Sequence, residues 1–134
     1  SVASNNVVDM LDEARAAVLM ARAATRDASA LSARRALEMA TIGSARALGL
    51  DAEIGSLEVG KRADLCAIAV DGFHAAPVYD VETALVFSAS ARDVVLTVCG
   101  GRTVFDSTSL TPTLLDEPRL RARLREIRAR IAPD

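Results

Sequence analysis

The chain is 134 residues long, 51% apolar and 25% charged, with a net charge of −2. It is one domain in length with an ordinary globular composition. Its charge gives no electrostatic reason to expect a nucleic acid or an anionic membrane as partner. No apolar run approaches the roughly 18 residues of a membrane-spanning helix, and no basic-then-apolar leader opens the chain, so a cytoplasmic location is expected.

Val7, Met10, Leu11, Ala14, Val18 and Ala21 recur at helical spacing, with Asp9, Asp12, Glu13 and Arg22 on the opposite side. This predicts a first helix over about 7–24, with Asn5 or Asn6 as its N-cap. "TRDASALS" reads as a polar linker ending at Ser32, which caps a second helix, "ARRALEMAT", with Ala36, Leu37 and Ala40 inward. "IGSARALGL" reads as a short third helix that stops at Gly49, because a glycine there tolerates positive φ.

The period changes after Ile54. "IGSLEVG" is expected to be a short extended segment, Gly60-Lys61 a turn, and "ADLCAIAV" a buried strand. A loop, "FHAAPVYD", leads to a short helix over 81–89. "RDVVLTVCGGRTVFD" predicts a hairpin with strands near 94–99 and 103–105 and Gly100-Gly101 at the turn. Asp116, Glu117 and Pro118 open a last helix, on which Leu120, Leu124, Ile127 and Ile131 form one apolar stripe. Aromatics are limited to Phe73, Phe87, Phe105 and Tyr79, so the core must be aliphatic.

Residues with chemistry are few. Cys66 and Cys99 sit in apolar, strand-like runs and are expected to be buried structural thiols. His74 is the sole histidine, whereas hydrolytic zinc sites usually combine two or three histidines with carboxylates. With Tyr79 and Asp80 it is a candidate acid–base group, provided that a partner lies within hydrogen-bond reach. "VGKRAD" lacks the glycine spacing with which a phosphate loop cradles its ligand and reads as a surface turn. Arg119, Arg121, Arg123, Arg125, Arg128 and Arg130 crowd the last helix. Acid at its start and arginine toward its end suit the helix dipole, and the arginines read as a solvated face.

"ALEMATIGSARALGLDAEIGSLEVGKRADLCAIAV" resembles the C-terminal region of the amidohydrolase superfamily, in the branch of cytosine, guanine and adenosine-type deaminases and triazine chlorohydrolases. "APVYD…ALVFSASARDVVLTVCGGRTVFD" matches the next stretch of the same family, and the likeness runs from Ser1 to about Asp106. The opening "SVASNN" resembles the end of the family's last barrel strand, "G-T-D-x-x-A-S-N-N", starting just past its Asp. In the family that Asp is the final metal ligand and a proton shuttle.

The resemblance implies a mixed α/β fragment, with the last helices of a (β/α)8 barrel and the C-terminal part of a small β-sandwich. The barrel would be incomplete in this chain. Residues 1–50 would be barrel helices, 51–74 the first strands of the small β-domain, 75–91 a loop and short helix, 92–106 its hairpin, and 107–134 the last helix. The family's His-x-His pair, later histidines, Glu and final Asp have no counterpart here, so no catalytic residue and no metal ligand is expected. Asn5 and Asn6, near the mouth of such a barrel, are the candidate substrate contacts. An intact parent would use zinc or another divalent metal to activate water and would deaminate or dechlorinate a small aromatic heterocycle. This chain alone is expected to be inactive. The alternative is a free-standing, non-catalytic module that pairs through its strand edges. No nucleic acid or membrane partner is expected, and a homo-oligomer is.

Overall fold

The structure is a computed structural model that describes residues 9–108 and 117–131. Among the described residues four α-helices, a π turn, a 3-10 turn and a small antiparallel sheet precede a C-terminal helix. In chain order these are α1 (Met10–Thr25), α2 (Ala33–Glu38), a π-helical turn (Met39–Gly43), α3 (Ser44–Ala47), β1 (Leu65–Ile68), α4 (Val81–Phe87), a 3-10 turn (Ala91–Asp93), β2 (Val94–Cys99), β3 (Arg102–Asp106) and α5 (Glu117–Ile131).

The core is aliphatic, as the scarcity of aromatics requires. Ala14 and Val18 of α1, Ala33 and Ala36 of α2, and Val86 of α4 form one buried cluster, edged by Leu31, Leu37 and Phe87. Alanines at α1 and α2 let the helices approach closely. Phe87 contributes its ring at the edge, where the Arg22 guanidinium lies 5.3 Å from the ring centroid.

The N-cap of α1 is Asp9 rather than an asparagine. Its Oδ1 accepts from the amides of Leu11 at 3.0 Å and Asp12 at 3.3 Å. Asp9 was expected on the polar side, yet it is buried. A carboxylate at a helix N-terminus satisfies free backbone donors and complements the dipole, which is why a charge is tolerated inside. The helix ends without glycine: Arg26 takes φ +53°, and Asp27 N–H reaches back to Arg22 C=O at 3.2 Å.

Ser32 caps α2 as expected, accepting from Arg35 N–H at 3.2 Å. The second and third expected helices are one continuous rod interrupted only by the π turn. Thr41 and Ser44 hydroxyls donate to the carbonyls of Leu37 and Met39, each at 2.7 Å, and such back-bonding competes with the regular ladder. A Cβ on Gly43 would stand 3.0 Å from the Glu38 oxygen, so glycine permits the wider turn. The rod stops at Gly49, with φ +70°. Gly49 N–H donates to Arg46 C=O at 3.0 Å and Leu50 N–H to Ala45 C=O at 2.9 Å, a Schellman closure.

The extended segment expected at 54–60 is not a strand; residues 51–64 are turns, bends and irregular chain. Lys61 Nζ instead donates to Ser56 at 2.6 Å and pairs with Glu58 at 3.4 Å. Residues 51–74 therefore supply one strand, β1, and it is half-buried. The sheet order is β1-β2-β3, all antiparallel. Leu65 faces Val98 and Cys66 faces Thr97 across the first ladder. Gly100 and Gly101, at φ +56° and +75°, close the predicted hairpin in the manner of a type I′ turn. Both cysteines are exposed and free, contrary to expectation: among the described residues the sheet has three strands, and both side chains are left open to solvent.

Candidate functional site

Asn5 and Asn6, the candidate substrate contacts, lie outside the described residues. His74 does not join Tyr79 and Asp80. Asp80 caps α4, accepting from Thr83 N–H at 2.8 Å, and Tyr79 points to solvent. His74 faces Asp93 instead, with Nε2 at 3.2 Å from Oδ1. Its ring lies over Gly72, where a Cβ would come within 2.6 Å of the imidazole.

Asp93 belongs to a capping box. Ser90 N–H donates to its Oδ2 at 2.8 Å and the Ser90 hydroxyl at 3.1 Å, while Ser90 Oγ accepts from Arg92 N–H. The Ser90 amide holds the carboxyl below the usual aspartate range; desolvation opposes this, and the Ser90 hydroxyl and His74 assist. Serine and histidine thus both bind the carboxylate and not each other. A nucleophile must hydrogen-bond its base, so this trio fastens the 72–77 loop to the 3-10 turn and does not form a catalytic relay. The spacing Ser-x-x-Asp at 90–93 is the capping-box signature that would have located it.

Asp9 extends the same lattice. Its Oδ2 accepts from Ala91 N–H at 2.8 Å, linking α1 to the 3-10 turn across 82 positions of sequence. Arg15 adds to this junction, donating to the carbonyls of Val86 at 2.9 Å and Ala89 at 2.6 Å beyond the end of α4.

An open groove of about 530 Å³ lies between the α2–α3 rod and the sheet. Leu48, Ile54, Leu57 and Leu65 line it together with Cys66 and Cys99. Its one carboxylate, Asp64, accepts from Gly100 N–H and braces the hairpin turn. A largely apolar groove whose one carboxylate is taken up by a backbone amide has the character of a contact surface. Among the described residues no group of three or more His, Cys, Asp or Glu can hold a metal ion. The described donor set holds no such cluster. No helix among them is long and apolar enough to cross a membrane.

Relatives share this arrangement. The adenosine deaminase of Xanthomonas campestris, solved with bound zinc, superposes with a TM-score of 0.88 at 38% identity, covering 96% of this chain and 29% of that one. The atrazine chlorohydrolase of Arthrobacter aurescens, complexed with zinc, superposes at 0.77 and 32% identity, over 87% of this chain and 26% of that one. In sequence, the 5-methylthioadenosine/S-adenosylhomocysteine deaminase of Moorella thermoacetica is 46% identical over 99 residues, 74% of this chain and 23% of the relative. The 5'-deoxyadenosine deaminase of Methanosarcina acetivorans is 41% identical over 105 residues, 78% of this chain and 24% of the relative. The chain spans about a quarter of the length of these curated relatives. The sequence profile of the amidohydrolase family matches residues 1–104, through the whole helical layer and most of the sheet, and the chain belongs to that family.

Proposed function

We propose that this chain is the C-terminal, metal-ligand-free portion of a longer amidohydrolase. That parent hydrolyses the exocyclic amine of an adenosine-type heterocycle, releasing ammonia and leaving a ring carbonyl. In this reading α1 and the α2–α3 rod are the last helices of an incomplete barrel, and the sheet is part of a small β-sandwich. The observation that carries it is a pairing. The fold matches a zinc-bearing adenosine deaminase over 96% of the chain, and the sequence matches a 5-methylthioadenosine/S-adenosylhomocysteine deaminase over 74% of it, while the described residues offer no metal-binding group. The runner-up chemistry, dechlorination of a triazine, follows the chlorohydrolase likeness at lower identity. Free surface thiols suit a cytoplasmic setting.

The test is zinc content and ammonia release from 5'-deoxyadenosine and 5-methylthioadenosine, for the purified chain and for the protein of its full gene. The reading expects turnover and bound zinc only in the longer protein. One zinc per chain with deamination by the 134 residues alone contradicts it.

A second reading, a non-catalytic assembly module, draws on the sheet. β1 and β3 each have one strand neighbour among the described residues, and open edges are templates for pairing with another chain. It expects a dimer or larger species by light scattering at tens of micromolar, and a clean monomer counts against it.

A further inference from the structure

The last helix carries an apolar stripe that the described residues leave exposed. Leu120, Leu124, Ile127 and Ile131 of α5 are exposed, at 48%, 56%, 40% and 78%. Their spacing of four, three and four residues is that of the a and d positions of a coiled coil. Arg121, Arg123, Arg128 and Arg130 then fall at the e and g positions on both sides of this seam. The acid Glu126 lies away from the seam, where it pairs with Arg123 at 2.8 Å. The family profile ends at residue 104, before α5 begins, whereas the likeness to the Xanthomonas campestris adenosine deaminase covers 96% of the chain and so reaches into α5.

We propose that α5 is a docking helix for an acidic amphipathic helix of another protein, one that presents leucine-like side chains to the seam and carboxylates to the flanking arginines. Charge complementarity selects this occupant. A second copy of α5 would set arginine against arginine at the flanks in either orientation, and like charges there disfavour pairing. A membrane surface calls for a broad apolar face with aromatic or bulky residues. This seam is narrow, holds no aromatic residue and is flanked by charge on both sides, the pattern of a helix-to-helix contact.

The probe is a labelled synthetic helical peptide with leucine at a and d and glutamate at e and g, followed by anisotropy against the full chain. Its control carries lysine at e and g. At about 0.05 M NaCl the glutamate peptide is expected to bind at least about tenfold tighter than the lysine peptide, and about 0.5 M NaCl should remove most of that preference. The reversal Arg123→Glu, Arg128→Glu, Arg130→Glu should invert it, and Leu124→Ser with Ile127→Ser should abolish binding of both peptides. These positions are exposed, so circular dichroism should show an unchanged fold. Equal affinity for the two peptides overturns the proposal, as does no binding of either. Dimerisation through the stripe, or capture by phosphatidylserine vesicles in place of the peptide, overturns it too.

Discussion

Asp9 joins two elements through a single carboxylate. One oxygen caps α1 and the other receives the Ala91 amide from the 3-10 turn. Asp9→Ala removes the cap and leaves a part-buried N–H without its acceptor, a loss of about 2–4 kcal/mol. Urea unfolding checks this, and a loss below about 0.5 kcal/mol would mean that the link carries little. Gly55 and Gly60 make a second comparison. Both hold positive φ, +93° and +95°, but a Cβ on Gly55 would stand 2.7 Å from the Ala45 Cβ and 2.9 Å from the Ile42 Cα, whereas one on Gly60 meets nothing. Gly60→Ala should cost about 1–2 kcal/mol from backbone strain alone. Gly55→Ala should cost about 2–4 kcal/mol, because overpacking against the rod adds to that strain. Equal losses would show that the contact is relieved by movement.

Titration belongs to the same scale. Among the described residues the folded state holds four carboxyls below their ordinary values. Ser29 lowers Asp27, Ser56 lowers Glu58, Thr83 lowers Asp80 and the Ser90 amide lowers Asp93. A depressed folded pKa adds stability above the unfolded value and loses it as pH falls through the folded one. The urea midpoint should therefore be level above the ordinary values of 3.8 and 4.5 and drop below them. Asp93→Asn should make that drop shallower; an unchanged slope would show that its capping box does not feel pH.

At the scale of elements, local signals translated well and tertiary ones did not. Ser32 caps α2, Gly49 ends the rod and the glycine pair turns the hairpin, since each acts through backbone within a few residues. The break between the second and third helices was visible as "TIGS", yet helical spacing alone cannot show that hydroxyl back-bonding and Gly43 absorb it as a π turn. Asp9 was misplaced because its value as a cap depends partly on Ala91, far along the chain. The cysteines were misjudged for a similar reason. An apolar strand becomes buried only if something covers it, and the sheet has three strands. Both thiols should therefore react with a water-soluble disulfide reagent in the native protein. Reaction of either only after urea is added would restore the buried assignment.

At the scale of the whole molecule, a coherent helical layer and sheet coexist with surfaces that no described residue covers. The groove beside β1, the outer strands and the stripe of α5 are all apolar and open. The family was legible in the sequence because its signature runs through turns and caps, where residue identity is tightly constrained by backbone geometry. The candidate site was legible only as a shortage: a single histidine cannot form the usual metal set, and in the structure it is engaged by Asp93. The proposal of a longer parent accounts for the groove and the outer strands, since the remainder would supply both the ligands and their missing cover, while the stripe of α5 is left for a separate partner.

The most direct measurement is the genomic DNA sequence upstream of the Ser1 codon. The account predicts an open frame that encodes Gly-Thr-Asp immediately before Ser1 and a His-x-His pair far upstream. A start codon at that boundary would contradict it, and the chain would then stand as a module without the family's chemistry.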